Sequence, residues 1–486
     1  MRLSELFREV EFDGSIKNDA DINLVTDDSR LVRPGSLFVC IRHRSFDGHT
    51  AAVDALASGA AAVVTQNRLG LENELRVADS RSAYARLCAA LCNHPERKLR
   101  LIGVTGTNGK TTVTTLIRNI LSDSGTKTLL TGTVCNRLGD ENLPSGLTTP
   151  KPPELYSLLS RAVSQRCKAC VMEASSQALA QGRLEGIDFD AAVFTNITRD
   201  HLDYHGTFEN YISAKKKLFE HSALSIVNLD DLRANEIIAA SKGKIITFST
   251  VLDCADYTAK NISLLSDCVH FELVSKGHIE HIEFASPGLF SVSNAMAAAV
   301  CAINLGIEPK DAAQSLAKSK SVCGRLERVE CSAPYSVIID YAHTPDGLEQ
   351  VLRALRPSCR GKLIVLFGCG GDRDRSKRPL MGAAACKYAD KIIVTSDNPR
   401  SEDPIKIIGD ILKGTDKKRR DLFVEPDRRK AIALALKTAE PGDTVLLAGK
   451  GHEKYQLIGG EKLPLDERET VRKILGLPHD TGRKKQ

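Results

Sequence analysis

Residues 101–121 read LIGVTGTNGKTTVTTLIRNIL, and this stretch decides the fold of the domain around it. The apolar run 99–105 predicts a buried strand, and after position 112 apolar residues recur at helical spacing. The turn between them carries the residues suited to holding phosphate, namely Gly106, Gly109, Lys110 and Thr111. Glycines let backbone N–H groups approach phosphate oxygens, a helix start favours negative charge, lysine adds a cation, and a threonine hydroxyl suits magnesium. We therefore predict a nucleotide-phosphate loop of the short form G-T-N-G-K-T-T, because position 104 is valine where the longer pattern has glycine.

The composition of the 486-residue chain is that of a folded protein with two to four domains, since 42% of its residues are hydrophobic and 26% are charged. The net charge of +6 is spread along the chain, and only the tail RKKQ is strongly basic, so we expect no nucleic-acid partner. No apolar run reaches transmembrane length, and the first residues lack the apolar core of a signal peptide. We expect a cytoplasmic monomer with no membrane partner.

The 14 cysteines are scattered along the chain. Cys167 and Cys170 form a C-x-x-C pair, but no second pair completes a zinc site. We expect buried free thiols in a reducing compartment.

The pattern of strands and helices predicts an α/β chain of three domains. Residues 1–97 predict a small α/β domain. Residues 98–330 predict a mostly parallel sheet of the phosphate-loop type, in which the segment 257–285 adds an antiparallel patch. Residues 331–486 alternate again and predict a Rossmann-like, doubly wound domain.

Four polar clusters follow predicted strands of the last domain, at 340–343, 368–373, 396–400 and 449–453. In open α/β sheets, ligands bind at the carboxyl ends of the strands. A single such cluster is more often a turn, but four at one end of a sheet predict a binding site.

Three further groups lie in the central domain. Glu173 ends a predicted strand, where it could reach a magnesium ion held by Thr111 or could equally be a capping or surface residue. The segment 195–205 contains Asp200, His201, Asp203 and His205, a density that suits metal binding or proton transfer. The lysine run around Lys215 is, from its pattern alone, a solvated basic face.

Several motifs, in this order along the chain, resemble the Mur ligases: GTNGKTT at 106–112, MEASS at 172–176, NITRDHLDYHG at 196–206, SAK at 213–215, SNAMAA at 293–298, GRLE at 324–327 and DYAHTPDG at 340–347. The GGDRD, DNPR and GKGHE clusters resemble the branch that adds meso-2,6-diaminopimelate, rather than L-lysine, to UDP-N-acetylmuramoyl-L-alanyl-D-glutamate. The resemblance implies an ATP- and Mg²⁺-dependent amide ligase of peptidoglycan precursor synthesis that works through an acyl phosphate. It also implies that residues 1–97 bind the UDP-substrate, 98–330 bind ATP, and 331–486 bind the amino acid.

The resemblance further implies a role for individual residues. Those matching ATP-binding positions are Gly106, Thr107, Asn108, Gly109, Lys110, Thr111, Thr112, Asn294, Arg325 and Asp340. Those matching metal ligands are Thr111, Glu173, His201 and a carbamylated Lys215, and together with Lys110 the last three are the implied catalytic residues. Those matching the UDP-substrate site are Ser29, His43, Arg44, Ser45, Thr148, Thr149, Ser175, Gln181 and Arg183. Those matching the diaminopimelate site are Arg373, Asp397, Asn398, Pro399, Arg400, Gly449 and Glu453.

Other functions remain to be weighed against this one. A folylpolyglutamate synthetase is the nearest alternative, and the DNPR and GGDRD clusters argue against it. A nucleotide-dependent switch would hold ATP without ligation, which the dense His/Asp segment disfavours. The group that takes the proton of the incoming amine is left open between His205 and His343.

Overall fold

The computed structural model describes residues 1–43, 46–320, 322–416 and 419–478. Within these residues the strands form three main sheets and one two-stranded ribbon, each main sheet flanked by helices. No helix in these residues is long and apolar enough to cross a bilayer.

The first sheet is parallel throughout, in the order β1-β2-β3-β4. Its elements, in chain order, are α1 Leu3–Leu6, β1 Leu24–Thr26, β2 Ser36–Val39, α2 Ala52–Ala57, β3 Ala60–Thr65, β4 Glu74–Arg76 and α3 Ser80–Leu91. The polar stretch after β1 forms a short 3₁₀ turn, Ser29–Leu31. The small α/β domain predicted from the sequence is confirmed.

The central sheet has the order β15-β14-β13-β12-β11-β10-β5-β9-β6-β7-β8. Its elements are β5 Arg100–Thr105, α4 Lys110–Asp123, β6 Thr128–Thr131, β7 Asn136–Leu138, β8 Glu141–Leu143, α5 Pro152–Ser164, β9 Ala169–Glu173, α6 Ser176–Ala180, β10 Ala191–Phe194, α7 Leu202–His205, α8 Phe208–Glu220, β11 Leu224–Asn228, α9 Ala234–Ala240, β12 Lys244–Ser249, β13 Tyr257–Leu264, β14 Val269–Ser275, β15 His278–Phe284, α10 Leu289–Asn304 and α11 Pro309–Lys318. The strands from β13 to β6 pair in parallel, and antiparallel strands flank them at both ends.

The antiparallel patch predicted at 257–285 is confirmed as β13, β14 and β15. The second antiparallel pair, β7 and β8, was not predicted. These strands are three residues each and largely polar, so they carry no readable alternation.

The third sheet has the order β16-β17-β21-β18-β19-β20, with all but β16 in parallel. Its elements are β16 Glu327–Arg328, β17 Ser336–Asp340, α12 Pro345–Leu355, β18 Leu363–Phe367, α13 Lys377–Tyr388, β19 Lys391–Val394, α14 Pro404–Leu412, β20 Leu422–Val424, α15 Arg428–Lys437, β21 Thr444–Ala448, the ribbon β22 Tyr455–Ile458 and β23 Glu461–Pro464, and α16 Glu467–Ile474. The predicted doubly wound domain is confirmed.

Helix packing fixes the position of the phosphate loop at the carboxyl end of β5 in the central sheet. The apolar face of α4, including Leu116, Ile117 and Ile120, is fully buried. α10 packs against α4, and its alanines at 295 and 297–299 allow a close approach. The start of α4 therefore has a fixed position relative to β5.

Candidate active site

The turn between β5 and α4 accepts only glycine at its two ends. Gly106 has φ +155°, and a Cβ there would overlap the Thr195 hydroxyl. Gly109 has φ +86°, and its Cβ would lie 2.5 Å from Asn294 Oδ1. The residues of the turn and the first residues of α4 line an open cavity. The first backbone N–H groups of a helix have no partner within the helix and suit an anion.

Side chains from the segment that follows β10 hold this turn in place through hydrogen bonds. The Thr195 hydroxyl donates to the Asn108 carbonyl at 2.6 Å, and the Asn108 N–H donates to Asn196 Oδ1 at 3.0 Å. Lys110 Nζ folds over the turn and donates to the carbonyls of Gly106 and Thr107, both at 2.8 Å. Burial lowers the pKa of Lys110 from its ordinary value, although Glu173 acts in the opposite direction.

Two cavities meet at this turn, and every residue predicted to bind ATP lines one or both of them. A cavity of about 370 Å³ is lined by Thr112, Asn294 and Asp340, and one of about 140 Å³ by Gly106, Thr107, Lys110 and Thr111. Asn108, Gly109 and Arg325 line both. Arg325 comes from the C-terminal side of the chain, and its Nη2 donates to the Thr111 hydroxyl at 3.2 Å.

Lys215 lies inside the molecule, so the interpretation of the lysine run as a solvated face is wrong for this residue. It is 1% exposed and lines the smaller cavity. Its Nζ donates to the Gly106 carbonyl at 2.8 Å and lies 4.6 Å from the ring centroid of Tyr211. Burial and the nearby charge of Lys110 lower the pKa of Lys215 well below its ordinary value, and Asp200 offsets only part of this.

Glu173 is buried at the end of β9 and lines the smaller cavity. The Thr133 N–H donates to Glu173 Oε1 at 2.8 Å, and the Thr133 hydroxyl donates to Oε2 at 2.9 Å. Each carboxylate oxygen is thus oriented by one donor. Thr133 was not identified from the sequence, because nothing in its neighbours signals that role.

Asp200 lies between two histidines at the boundary of the central and C-terminal domains. Its Oδ2 is 3.4 Å from His201 Nε2 and 3.9 Å from His343 Nε2. Burial raises the pKa of Asp200, but His201, His343 and Lys377 outweigh it and bring the pKa to about 2. Burial lowers the pKa of His201 and His343 to about 4, so both imidazoles are neutral at pH 7.

The two histidines considered for proton transfer have different surroundings. His343 lines the smaller cavity, and its Nδ1 lies 2.8 Å from the Tyr341 carbonyl. Because that carbonyl can only accept, Nδ1 carries the proton and Nε2 is left as an acceptor. His205 is buried, with its Nε2 3.0 Å from the Ser176 hydroxyl, and does not line the cavity.

Four residues predicted to bind the UDP-substrate form one hydrogen-bonded network beside Glu173, namely Thr149, Ser175, Gln181 and Arg183. A fifth, Thr148, is joined to it through Thr133, whose hydroxyl lies 3.0 Å from the Thr148 hydroxyl. Thr149 Oγ1 donates to the Glu173 carbonyl at 2.6 Å, and Arg183 Nη1 donates to the Thr149 carbonyl at 2.7 Å. The Arg183 guanidinium also holds Gln181 Oε1, at 2.9 and 2.7 Å.

The predicted contacts for the other end of that substrate lie in the first domain. Ser29 opens the 3₁₀ turn after β1, and His43 Nε2 lies 3.4 Å from Asp27 Oδ2. Asp27 also faces Lys151 of the central domain, at 3.4 Å. Arg44 and Ser45 fall outside the residues that the structure describes.

In the C-terminal domain, the segment after β19 and the segment after β21 share a buried lysine. Lys450 Nζ donates to Asn398 Oδ1 at 2.8 Å and to Glu453 Oε2 at 2.6 Å, and Asn398 Nδ2 donates to Glu453 Oε2 at 3.0 Å. Asp397 Oδ1 lies 3.6 Å from Lys450 Nζ. Lys450 belongs to the GKGHE motif, but its role was not predicted. Gly449, at φ +110°, allows the two segments to approach.

Arg400 follows Pro399 and turns back towards the segment that contains Arg373. Its Nη1 donates to the Gly371 carbonyl at 2.6 Å. Burial and the positive charge of Arg373 both lower the pKa of Arg400 from its ordinary value. Both side chains lie beside Gly370, where an added Cβ would be 2.9 Å from Arg400 Nη1 and 3.7 Å from Arg373 Cγ. Two neighbouring guanidinium groups are suited to binding a carboxylate.

Comparison with known proteins identifies the family. Three family models match the chain: "Mur ligase family, catalytic domain" over residues 21–90, "Mur ligase middle domain" over 104–302, and "Mur ligase, glutamate ligase domain" over 324–451.

Whole-length relatives agree with these matches. A UDP-N-acetylmuramoyl-L-alanyl-D-glutamate--2,6-diaminopimelate ligase of Caldanaerobacter subterraneus subsp. tengcongensis is 43% identical over 479 residues, covering 98% of this chain and 99% of that protein. One of Syntrophomonas wolfei is 42% identical over 487 residues, with the same coverage. A solved structure of a ligase with this name is 35% identical, with a TM-score of 0.70 over 98% of this chain and 99% of the other. The chain belongs to the Mur ligase family.

Proposed function

We propose that this protein joins meso-2,6-diaminopimelate to UDP-N-acetylmuramoyl-L-alanyl-D-glutamate, with ATP as the energy source, in peptidoglycan precursor synthesis. The observation that carries the proposal is the pairing of a phosphate loop with two neighbouring arginines, Arg373 and Arg400, on the next domain. Relatives more than 40% identical over 98% of the chain carry the name of this ligase. We further propose that residues 1–97 bind the UDP-substrate, 98–330 bind ATP, and 331–486 bind the amino acid.

The first chemical step transfers a phosphoryl group. An oxygen of the D-glutamyl carboxylate attacks the γ-phosphorus of ATP, the bond from that phosphorus to the β–γ bridging oxygen breaks, and ADP leaves an acyl phosphate behind. Both reactants are anionic. Lys110 and Arg325 line the smaller cavity and would offset this repulsion, and such preorganised charge is the main source of catalysis in phosphoryl transfer.

The side chains of the smaller cavity suit magnesium. The Thr111 hydroxyl, the Glu173 carboxylate, His201 and a carbamylated Lys215 would be the ligands, and oxygen donors predominate among them. When bound, Mg²⁺ would neutralise charge on the phosphate oxygens. Thr133 orients the Glu173 carboxylate in advance, through its N–H and its hydroxyl.

Carbamylation of Lys215 has a physical basis in its surroundings. A neutral amine nitrogen attacks the carbon of CO₂ and loses a proton, which gives a carbamate anion. Lys215 is buried beside the Gly106 carbonyl and near Lys110, conditions that favour the neutral amine. The carbamate would place an anion beside two cationic side chains, Lys110 and Arg325.

The second step forms the amide bond. The neutral amine of diaminopimelate attacks the acyl carbon, a tetrahedral intermediate forms, and the bond from that carbon to the phosphate oxygen breaks to release inorganic phosphate. The amine nitrogen loses one proton in this step. We propose His343 as its acceptor in preference to His205, because His343 Nε2 is unprotonated and the residue lines the cavity.

The choice of amino acid rests on the distal carboxylate of diaminopimelate, which lysine lacks. Arg400 and Arg373 would bind this group through paired charged hydrogen bonds. Asn398, Asp397 and Glu453 would hold the neighbouring amino group, with Lys450 fixing their positions. A site built for a polar group can reject an analogue without it by about 10⁴-fold.

An assay of phosphate release tests the function directly. The purified protein is given ATP and Mg²⁺ with the UDP-dipeptide, and then with diaminopimelate or L-lysine in parallel. We expect phosphate release only when the UDP-dipeptide and diaminopimelate are both present. Release without the amino acid would indicate a nucleotide switch, and equal rates with lysine would overturn the proposed specificity.

A further inference from the structure

The hairpin formed by β14 and β15 presents two faces of opposite character. Its core face is apolar, and Val269, Phe271 and Ile282 are buried there. Side chains alternate along a strand, so the other face carries Cys268, His270 and Glu272 from one strand and His281 and Glu283 from the next. Five metal-binding side chains are therefore collected on this face, while His278 and Glu280 lie on the other.

Three of these side chains converge. His270 and Glu283 are directly paired across the two strands. Cys268 lies two residues before His270, and its Sγ is 3.3 Å from His270 Nε2. The sulfur, the imidazole nitrogen and a Glu283 oxygen all lie within 4.8 Å of one another. Among the described residues, no other three His, Cys, Asp or Glu side chains meet this criterion.

The backbone holds the cysteine in this position. Leu265 N–H donates to the Cys268 carbonyl at 3.0 Å, which closes the turn between β13 and β14. Cys268 is half-buried and Glu283 is exposed, so an ion has access from solvent. The position of the thiol is thus set by the turn and not by a flexible loop.

The geometry points to a binding site for one zinc ion at Cys268, His270 and Glu283. Zinc lies about 2.0–2.3 Å from sulfur, nitrogen and oxygen ligands in tetrahedral geometry, which requires ligands about 3.3–3.8 Å apart. The observed 3.3 Å between Sγ and Nε2 meets this requirement. A thiolate with an imidazole selects zinc over magnesium, which prefers oxygen ligands. On binding, zinc replaces the thiol proton, which passes to solvent.

This site is separate from the ligase site. Four strands, β13, β12, β11 and β10, lie between β14 and β5 in the central sheet. At about 4.8 Å per strand, the two sites are roughly 24 Å apart. Zinc here would tie the turn and both strands together, so its effect would be on the stability of the hairpin.

Cobalt titration of the reduced, chelator-treated full-length protein tests the site, because Co²⁺ bound to a thiolate gives a charge-transfer band. We expect one tight equivalent with this band in the native protein, and its persistence in excess Mg²⁺. Cys268→Ser should abolish the band. Cys254→Ser, at an exposed cysteine, and His281→Ala, on the same face, should retain it.

Two further measurements guard against misfolding of a variant. Glu283→Gln and His270→Ala keep the thiol and should weaken cobalt binding by at least about 100-fold. Zinc should raise the thermal midpoint of the native protein and not that of Cys268→Ser, whose ligase activity reports its fold. A native protein without the band, or an undiminished band in Cys268→Ser, overturns the proposal.

Discussion

The buried cationic side chains of this molecule differ in whether a neighbouring anion matches their charge, and this difference distinguishes structural from functional residues. Arg428 is fully buried and donates to the carboxylate of Glu467 at 2.8 Å, so its charge is matched. Lys215 is equally buried but forms no salt bridge with any residue that the structure describes. An unmatched buried charge is costly, so such a group is either neutral or modified. Lys450 is an intermediate case, because it holds both Asn398 and Glu453 in the proposed amino-acid site.

Arg400 provides the sharpest test of amino-acid selection. Arg400→Ala should lower kcat/KM for diaminopimelate by at least about 100-fold, since it would remove a half-buried charge partner proposed for the distal carboxylate. The KM values for ATP and the UDP-dipeptide should stay near those of the native enzyme. Arg375→Ala is the matched control, because Arg375 is exposed and contacts Glu402 instead. Unchanged kinetics with diaminopimelate would sink the assignment.

The proposed carbamylation of Lys215 can be tested without an activity assay. Protein equilibrated with ¹³C-bicarbonate should show a carbamate carbon resonance. The signal should vanish in Lys215→Ala and remain in Lys216→Ala, whose lysine is paired with Glu236 at 2.9 Å. It should also decline on acidification, because protonation of the amine competes with carbamate formation. A signal that survives in Lys215→Ala would place the modification elsewhere.

His452 should make the protein less stable in mild acid. Burial and the nearby cations Arg325, Arg468 and Lys450 lower its pKa from 6.5 to about 4. Between these pH values the unfolded chain binds a proton that the folded chain does not, so the free energy of unfolding falls as the pH falls. Urea denaturation across this range should show a shallower decline for His452→Gln. His278→Gln, at an exposed histidine, should follow the native curve, and identical slopes for both variants would contradict the prediction.

At the scale of elements, the long apolar strands and the α4 helix were predictable because their pattern is local. Glu173 ends a strand, as predicted, and the strand before the phosphate loop was predicted to within one residue. β12 was missed, since its mixture of lysine, threonine and serine among apolar residues resembles a loop. The burial of Lys215 was equally unreadable from its pattern, because it depends on β5 and α8 meeting in space. The resemblance to the Mur ligases implied a functional role for Lys215, which its local pattern did not indicate.

The turn before α4 leads to a prediction about its first glycine. Gly106→Ala should weaken ATP binding and lower the free energy of unfolding, since the added methyl would overlap Thr195. Gly125→Ala is the control. Gly125 has φ +84° and open space around it, so this variant carries only the cost of a strained backbone. We expect Gly106→Ala to be more destabilising by at least about 1 kcal/mol, a typical cost of forced repacking. Paired urea denaturation and nucleotide titration would measure this, and equal effects would refute it.

At the scale of the whole molecule, the two domain boundaries differ. The first two domains share an apolar core that includes Tyr84 and Leu87 of α3 and Leu155 of α5. The central and C-terminal domains have separate apolar cores, apart from Phe290 of α10, which packs against the C-terminal core. They also meet through polar contacts at the site, such as Asn108 Nδ2 to Asp346 Oδ2 at 3.0 Å and Arg325 to Thr111. Polar boundaries open and close at lower cost than apolar ones. The C-terminal domain is therefore the one we expect to move.

Small-angle scattering can detect this motion. We expect the radius of gyration to fall when a non-hydrolysable ATP analogue, the UDP-dipeptide and Mg²⁺ are all present, because ligands bridge the two domains. The UDP-dipeptide alone should cause less compaction. Asp346→Ala, which removes the hydrogen bond to Asn108, should reduce the change. An unaltered radius in the native protein with every ligand bound would argue against closure.

The antiparallel strands at both ends of the central sheet have a consequence for solubility. They leave β8 and β15 as the outermost strands, whose free backbone groups could pair with a second molecule. β8 is only three residues long, and β15 carries two histidines and two glutamates within seven residues. The short length of β8 and the polar and charged side chains of β15 both discourage a strand of another molecule from pairing with the sheet. The same hairpins that complete the sheet thereby protect the chain from edge-to-edge aggregation.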